Sequence, residues 1–346
     1  MLRYLTAGES HGEALIAILE GMPAGLRIDS AIINKELKRR QSGIGRGKRM
    51  QIEEDKVQIP SGLKKGITLG SPIGLLIKNK DFSIERLPKV LCPRPGHADL
   101  AGVLKYGFLD VRNVLERASA RETAARVGVG AVCKIFLAEF NVKISSKVLS
   151  IGGEFITQAI EKKILEAKAN KDTLGGIFEV MAKNVPAGLG SYAQSDRRLD
   201  GRLAQEVMSI PAIKAVEIGL GFGYVYKFGS EVHDAIYYTK SKGYFRKTNN
   251  AGGIEGGVSN GEDILIRAYM KPISTLLKPL DSVNILTRRP TKATVERSDI
   301  SAVESAAVIA ESACAYVLAD AFLEKFGGDC LLDIKKAHQY YLKRIR

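Results

Sequence analysis

Histidine is scarce in this chain: His11, His97, His233 and His338 are the only four. Two of them sit in polar, glycine-flanked segments, Gly8-Glu9-Ser10-His11-Gly12 and Arg94-Pro95-Gly96-His97-Ala98-Asp99. An imidazole titrates near neutrality and can give or take a proton at working pH, while glycine beside it lets the backbone turn sharply towards a ligand. His11 and His97 are therefore candidate general acids or bases. The alternative is a turn histidine that only satisfies local hydrogen bonds. Ser10-His11 could also be read as part of a serine hydrolase, but adjacent residues on an extended chain point apart.

Arginines gather around the same segments. They cluster at Arg39-Arg40, Arg46, Arg49 and Arg94, at Arg112, Arg117 and Arg121, at Arg197, Arg198 and Arg202, and at Arg288, Arg289 and Arg297. A guanidinium fork binds phosphate or carboxylate bidentately and glycine-rich backbone offers amides for the same purpose, so the mixture suits a ligand with several negative groups. Most of these arginines taken singly are expected to be solvated surface. The run Arg117-Ala118-Ser119 is singled out, because a helix start there would gather amides and dipole potential for a phosphate. The stretch from Asn250 to Gly261 holds five glycines and invites close backbone approach. Lys271-Pro272-Ile273-Ser274-Thr275 follows it with a cation and two hydroxyls.

These segments need elements to hold them. Alternating or β-branched runs predict strands over Met50–Ile59, Ile67–Ile77, Val142–Ile151, Gly176–Lys183, Ile213–Ile218 and Asp263–Met270. Helical spacing covers Ser30–Gln41, Asp99–Tyr106, Ser119–Phe140, Ile156–Ala169, Leu199–Met208 and, longest of all, Ile300–Phe326. Ser119 with Glu122, and Ser301 with Glu304, match the reciprocal capping pattern, and Gly327-Gly328 supplies a stop. The order lacks the strict alternation of a doubly wound sheet and no G-x-G-x-x-G follows a strand in the expected context, which argues against a dinucleotide-binding Rossmann domain.

Composition narrows the class. A chain of 346 residues that is 45% hydrophobic can bury a substantial core, and with no linker or low-complexity tract one domain over residues 1–346 is the simplest account. The apolar runs Val127–Leu137 and Ala302–Leu323 are broken by Lys134, Glu304, Glu311 and Asp320, which leaves no uncharged span of roughly 20 residues. No leader pattern opens the chain, and the expected location is the cytoplasm. Cys92, Cys133, Cys314 and Cys330 are widely spaced and read as reduced thiols, not as a metal site. The formal charge of +14 suits anionic partners: nucleic acid, a membrane surface or phosphorylated metabolites. An aromatic content of 7% without tryptophan is poor for stacking on bases, so a nucleic-acid-binding protein is the weaker rival.

The motifs together resemble the chorismate synthase family. G-E-S-H-G at Gly8–Gly12, R-P-G-H-A-D at Arg94–Asp99 and R-A-S-A-R-E-T-A at Arg117–Ala124 carry the resemblance, with D-G-R-L-A-Q-E-V-M at Asp200–Met208 and A-V-E-I-G-L-G-F at Ala215–Phe222. The glycine-rich stretch, K-P-I-S-T and R-S-D at Arg297–Asp299 extend it over nearly the whole chain. One departure is Ala118, where the family often has a serine.

The resemblance implies a mixed α/β chain of the α+β type, folded as a single-domain β-α-β sandwich and assembled as a homotetramer. It implies an anti-1,4-elimination of phosphate from 5-enolpyruvylshikimate 3-phosphate, giving chorismate and requiring reduced FMN (FMNH2). NADPH or a separate flavin reductase would supply the reducing power. Carried over by motif, the catalytic groups are His11 near the departing phosphate, His97 near flavin N1 and Asp299 near N5, although Asp299 could instead only help to start its helix. Arg117, Ala118, Ser119, Pro211, Ala212, Gly256, Lys271, Pro272, Ile273, Ser274, Thr275 and Arg297 would contact FMN. Arg40 and Arg46 would meet substrate or a nicotinamide nucleotide phosphate, with Arg121 a further substrate residue. No metal, nucleic acid or membrane enters this picture.

Overall fold

In the computed structural model, which describes residues 1–45, 54–296 and 299–345, the alternating runs form two four-stranded antiparallel sheets. The first is built from β1 (Arg3–Ala7), β2 (Ala14–Glu20), β3 (Val57–Ser61) and β4 (Ile73–Lys78), in the order β1-β2-β4-β3. The second contains β5 (Lys143–Ile151), β6 (Gly176–Lys183), β7 (Ile213–Ile218) and β8 (Ile264–Met270), in the order β5-β6-β8-β7. Each sheet has one apolar face turned inward, as the period of two requires. In β2, Leu15, Ala17 and Leu19 are buried; in β8, Ile264, Ile266, Ala268 and Met270 are. The outer face of the second sheet is a charge ladder, with Lys147 opposite Glu179, Glu179 opposite Arg267, and Arg267 opposite Glu217, at 3.0, 3.4 and 3.1 Å.

Helices fill the space between the sheets. Among the described residues the α-helices longer than one turn are α1 (Ser30–Gln41), α2 (Asp99–Tyr106), α3 (Arg112–Ala118), α4 (Thr123–Ala138), α5 (Thr157–Ala169), α6 (Leu199–Met208), α7 (Val303–Phe326) and α8 (Leu331–Arg344). α4 lies against β2 and β4, and α7 against β5 and β6, so the layers are sheet, helices, sheet. α7 is long and apolar enough to cross a membrane by length and composition, yet 89% of that stretch is enclosed by the fold. Its one fully buried carboxylate, Glu311, is bound by the Arg39 guanidinium at 2.7 and 2.8 Å and by Lys134.

α4 and α7 approach closely at Gly130, where an added Cβ would stand 2.2 Å from Ser312 Cβ and 2.4 Å from Ser312 Cα. Relief would require moving one backbone. Gly130→Ala is therefore expected to lower stability by about 1–3 kcal/mol, the usual range for overpacking, read from the denaturant midpoint.

Several expectations are met to the residue and others are revised. Ser30–Gln41, Asp99–Tyr106, Leu199–Met208, Gly176–Lys183 and Ile213–Ile218 have the predicted bounds. The strand expected over Ile67–Ile77 is split into Ile67–Thr68 and Ile73–Lys78, because Gly70 turns the chain at φ +81 and Pro72 follows. Of Met50–Ile59, strand begins at Val57, and residues 50–53 lie outside the described residues. Neither capping pattern closes: Glu122 pairs with Arg126 at 3.1 Å, and Glu304 accepts from the Ile44 amide at 2.7 Å. Gly327 does terminate α7.

α8 returns across the end of the core and places His338 among Phe140, Phe322 and Phe326, with ring centroids 5.1 to 5.3 Å away. Burial pushes this imidazole below its ordinary value of 6.5. The fold therefore favours the neutral ring. Its contribution is intact above 6.5 and is lost as pH falls from there through the lower folded value. His338→Phe is expected to flatten that part of the acid limb in urea midpoints measured against pH.

Candidate active site

The loop that carries His11 joins β1 to β2 and is clamped from three directions. Gly8 has φ +106, and a Cβ there would be 2.3 Å from Ala14 O, so only glycine fits. Asn79, just past β4, donates its side-chain amide to Gly12 O at 2.7 Å and Glu9 O at 3.2 Å. Arg117, closing α3, donates to Gly8 O, Thr6 O and Thr6 Oγ1 at 2.9 to 3.0 Å. Glu116 beside it binds His11 itself: its carboxylate accepts from the His11 amide at 2.8 Å and lies 2.9 and 3.0 Å from Nδ1. Although Gly8–Gly12 spells G-x-S-x-G, it connects two antiparallel strands instead of a strand and a helix, and Ser10 is only 2% exposed. A hydrolase nucleophile turn is thereby excluded.

His97 has a matching support. Its Nδ1 bonds Asp99 Oδ1, and Asp99 also accepts from Arg94 through the backbone amide at 3.0 Å, Nε at 2.8 Å and Nη2 at 3.1 Å. Burial opposes ionisation of Asp99, but the bonds from His97 and Arg94 outweigh it and hold the carboxyl well below the usual range. Arg94 is itself buried and gives its Nη1 to Thr275 Oγ1 at 2.8 Å. The Lys271 ammonium bonds Gly96 O. The K-P-I-S-T segment and the His97 loop therefore form one unit. Neither His11 nor His97 has a partner at Nε2 among the described residues, and their side chains keep 15% and 17% exposure.

His97 lies just before α2, and α3 carries the Glu116 that binds His11. The two helices pack so closely that a Cβ on Gly102 would be 2.4 Å from Val114 Cγ1, and only Gly107–Val111 separates them in sequence.

Behind the His11 loop runs a buried polar chain. Arg121 donates to Asn79 Oδ1 at 2.9 Å and to Asp55 Oδ1 at 2.6 Å, and Arg40 donates to Asp55 Oδ2 at 3.3 Å, Thr123 Oγ1 at 3.0 Å and Ala120 O at 3.1 Å. Arg40 and Arg121 are thus neighbours through Asp55. Ser119 marks the break between α3 and a short 3-10 turn, and its Oγ accepts from the Arg121 amide at 3.3 Å. The amides of Glu122 and Thr123 are also engaged within the turn, so this start offers fewer free amides than an isolated helix would.

The remaining candidates fall around the Lys271 side. Ala212, held at φ +69, accepts from the Lys271 amide at 2.9 Å, with Pro211 before it. Thr173 Oγ1 bonds Ile273 O at 2.7 Å, and the next residue, Leu174, donates to Ile300 O at 2.8 Å, beside Asp299. Gly256 stands apart: it turns the hairpin Ile254–Ser259 with Gly257, both at positive φ, and a Cβ on it would meet nothing within 4 Å, whereas Gly257 packs against Arg198 and accepts from the Leu199 amide at 2.9 Å. Arg46 and Arg297 lie outside the described residues. Glu116, Asp55 and Asn79 were not among the sequence candidates. Arg94 and Asp99, in R-P-G-H-A-D with His97, had a local signal, Arg94 as one of the clustered arginines.

The sequence profile of chorismate synthase matches residues 2–323. The chain belongs to the chorismate synthase family. The chorismate synthase of Thermoanaerobacter pseudethanolicus is 58% identical over 348 residues, covering 100% of this chain and 99% of that protein. That of Aquifex aeolicus is 51% identical, covering 100% and 98%. A solved structure titled as the crystal structure of chorismate synthase superposes with a TM-score of 0.83 at 44% identity, covering 99% of this chain and 98% of that one. The chain is accordingly a carbon–oxygen lyase that converts 5-enolpyruvylshikimate 3-phosphate to chorismate and phosphate, a step of aromatic biosynthesis. Chorismate synthases need reduced flavin for this redox-neutral reaction.

Proposed function

We propose that this chain performs the elimination with reduced FMN, using His11, His97 and Asp299 to handle protons. Its flavin contacts are Arg117, Ala118, Ser119, Pro211, Ala212, Gly256, Lys271 to Thr275 and Arg297. The observation that carries the reading is the paired support of His11 and His97, each fixed at Nδ1 by a buried carboxylate with Nε2 left for chemistry. The donor set also fits a phosphorylated cofactor. Burial and the nearby Lys214 ammonium both push Lys271 below its ordinary value, so an anion settling beside the two cations would be favoured.

When bound, reduced FMN supplies electron density to the electron-poor allylic centre. His11 would give a proton from Nε2 to the departing phosphate, while His97 and Asp299 would be the acid–base groups held on the N1 and N5 sides of the flavin. Arg40, Arg46 and Arg121 hold the anionic groups of the substrate, or a nicotinamide nucleotide phosphate, and help exclude water. The reducing power comes from NADPH or a separate flavin reductase, and the working form is a cytoplasmic homotetramer. One main core running from Leu2 to Ile334, with a small satellite of Val90, Val103, Val111 and Val114 at α2 and α3, supports a single domain.

The test is anaerobic. Purified protein, FMN reduced by dithionite and 5-enolpyruvylshikimate 3-phosphate are followed by chorismate absorbance and phosphate release, with oxidised FMN as control. Equal release of both products only with reduced flavin is expected. No turnover from folded, flavin-binding protein would overturn the proposal.

A further inference from the structure

Glu116 lies 105 residues from His11 in sequence, yet the two share three short contacts. It occupies the last turn of α3 with its side chain 2% exposed. Arg112, one turn earlier, approaches Glu116 Oε1 at 3.6 Å and is itself paired with Glu296 at 3.0 Å. Burial favours the neutral acid, but the His11 ring and amide and the Arg112 charge overcome this and hold Glu116 below the usual range. An ionised carboxylate only accepts hydrogen bonds, so the Nδ1 facing it must carry a proton. Nε2 is then the one ring nitrogen left for chemistry.

We infer that Glu116 is a positioning residue for the elimination: it holds the His11 ring through Nδ1–H, so that Nε2–H is the proton turned to the leaving group. This rests on the reading of His11 as the group at the departing phosphate. As the allylic C–O bond breaks, its electron pair leaves on the phosphate oxygen, and the Nε2 proton passes to that phosphate. The imidazole is left neutral with Nδ1–H still on Glu116, and solvent restores the proton after product leaves. The arrangement follows the logic of a carboxylate that orients a catalytic imidazole through its other nitrogen. A merely structural Glu116 would need only its bond to the His11 amide.

Glu116→Gln separates the two roles, since glutamine keeps the shape and an oxygen for the His11 amide but removes the charge. Under the anaerobic assay kcat is expected to fall by about 10²-fold or more, with KM changed less than about threefold, as for loss of a transition-state interaction. With only four histidines, the ring-proton resonances can be assigned by single substitutions. The His11 Nδ1–H signal, far downfield against a carboxylate, should move upfield in Glu116→Gln. In a His11→Ala background Glu116→Gln should cost nothing further, because it acts through the ring. Activity retained in His11→Ala would sink the reading of His11. A crippled His11→Ala beside a Glu116→Gln enzyme of near-normal kcat, an unmoved resonance, or additive losses in the double variant would overturn the role of Glu116.

Discussion

Asp99→Asn should lower kcat by about 10²–10⁴-fold and at the same time weaken the fold by about 3–5 kcal/mol. The two effects share one cause. The Asp99 carboxylate takes three hydrogen bonds from Arg94 and one from the His97 ring. Asparagine offers one oxygen where two are used, and turns an amide donor towards either a guanidinium or an imidazole that already donates. Arg94, 7% exposed, would be left as a buried cation without its counter-charge, which is the expensive way to break such a pair. His97 would lose the acceptor that fixes its tautomer.

The pH dependence identifies the same carboxyl. Its folded value is depressed, so its contribution is complete above the ordinary value of 3.8 and is lost as pH falls through the folded value. Urea midpoints of the wild type should therefore decline in acid more steeply than those of Asp99→Asn. Parallel acid limbs, or a variant with normal kcat, would show that the Arg94–Asp99–His97 unit is not what organises this loop.

Much of the framework was legible in the sequence because local rules and tertiary packing agree there. The alternation in Gly176–Lys183 and Asp263–Met270 is that of strands with one covered face, and these are the central strands of their sheet. β1 and β2 escaped notice for a physical reason: Leu5, Ile16 and Ile18 are exposed and apolar, so the run has no polar face to reveal its period. α3 is short, and four of its seven residues are buried, including Arg112 and Glu116. Capping patterns misled at Ser119 and Ser301 because Glu122 and Glu304 had stronger partners elsewhere in Arg126 and the Ile44 amide.

The site divides along the same line. His11 and His97 were visible because a histidine between glycines is rare and chemically pointed. Their supports were not, since Glu116, Asn79 and Asp55 act across separations that only the folded chain closes. A carboxylate in a helix reads as solvated surface until its partner is known. Family motifs name the groups that touch ligands; what sets their charge and orientation lies in ordinary-looking residues beside those motifs.

Asp55→Ala is expected to have the second large effect. Its carboxylate has no exposure and bridges Arg121 at 2.6 Å and Arg40 at 3.3 Å, whose side chains are 3% and 4% exposed. Removing it sets two buried guanidinium groups against each other, at a cost of about 3–5 kcal/mol by the usual penalty for breaking a buried pair. Through Arg121 and Asn79 the disturbance reaches Glu9 and Gly12 on either side of His11. Both kcat and KM should therefore suffer. If Arg40 and Arg121 face the anionic substrate, an added anion can stand in for the missing carboxylate, and the variant should gain more thermal stability from inorganic phosphate or substrate than the wild type does. An equal gain in the two proteins would mean that these arginines serve the fold alone and that the substrate's anions are held elsewhere.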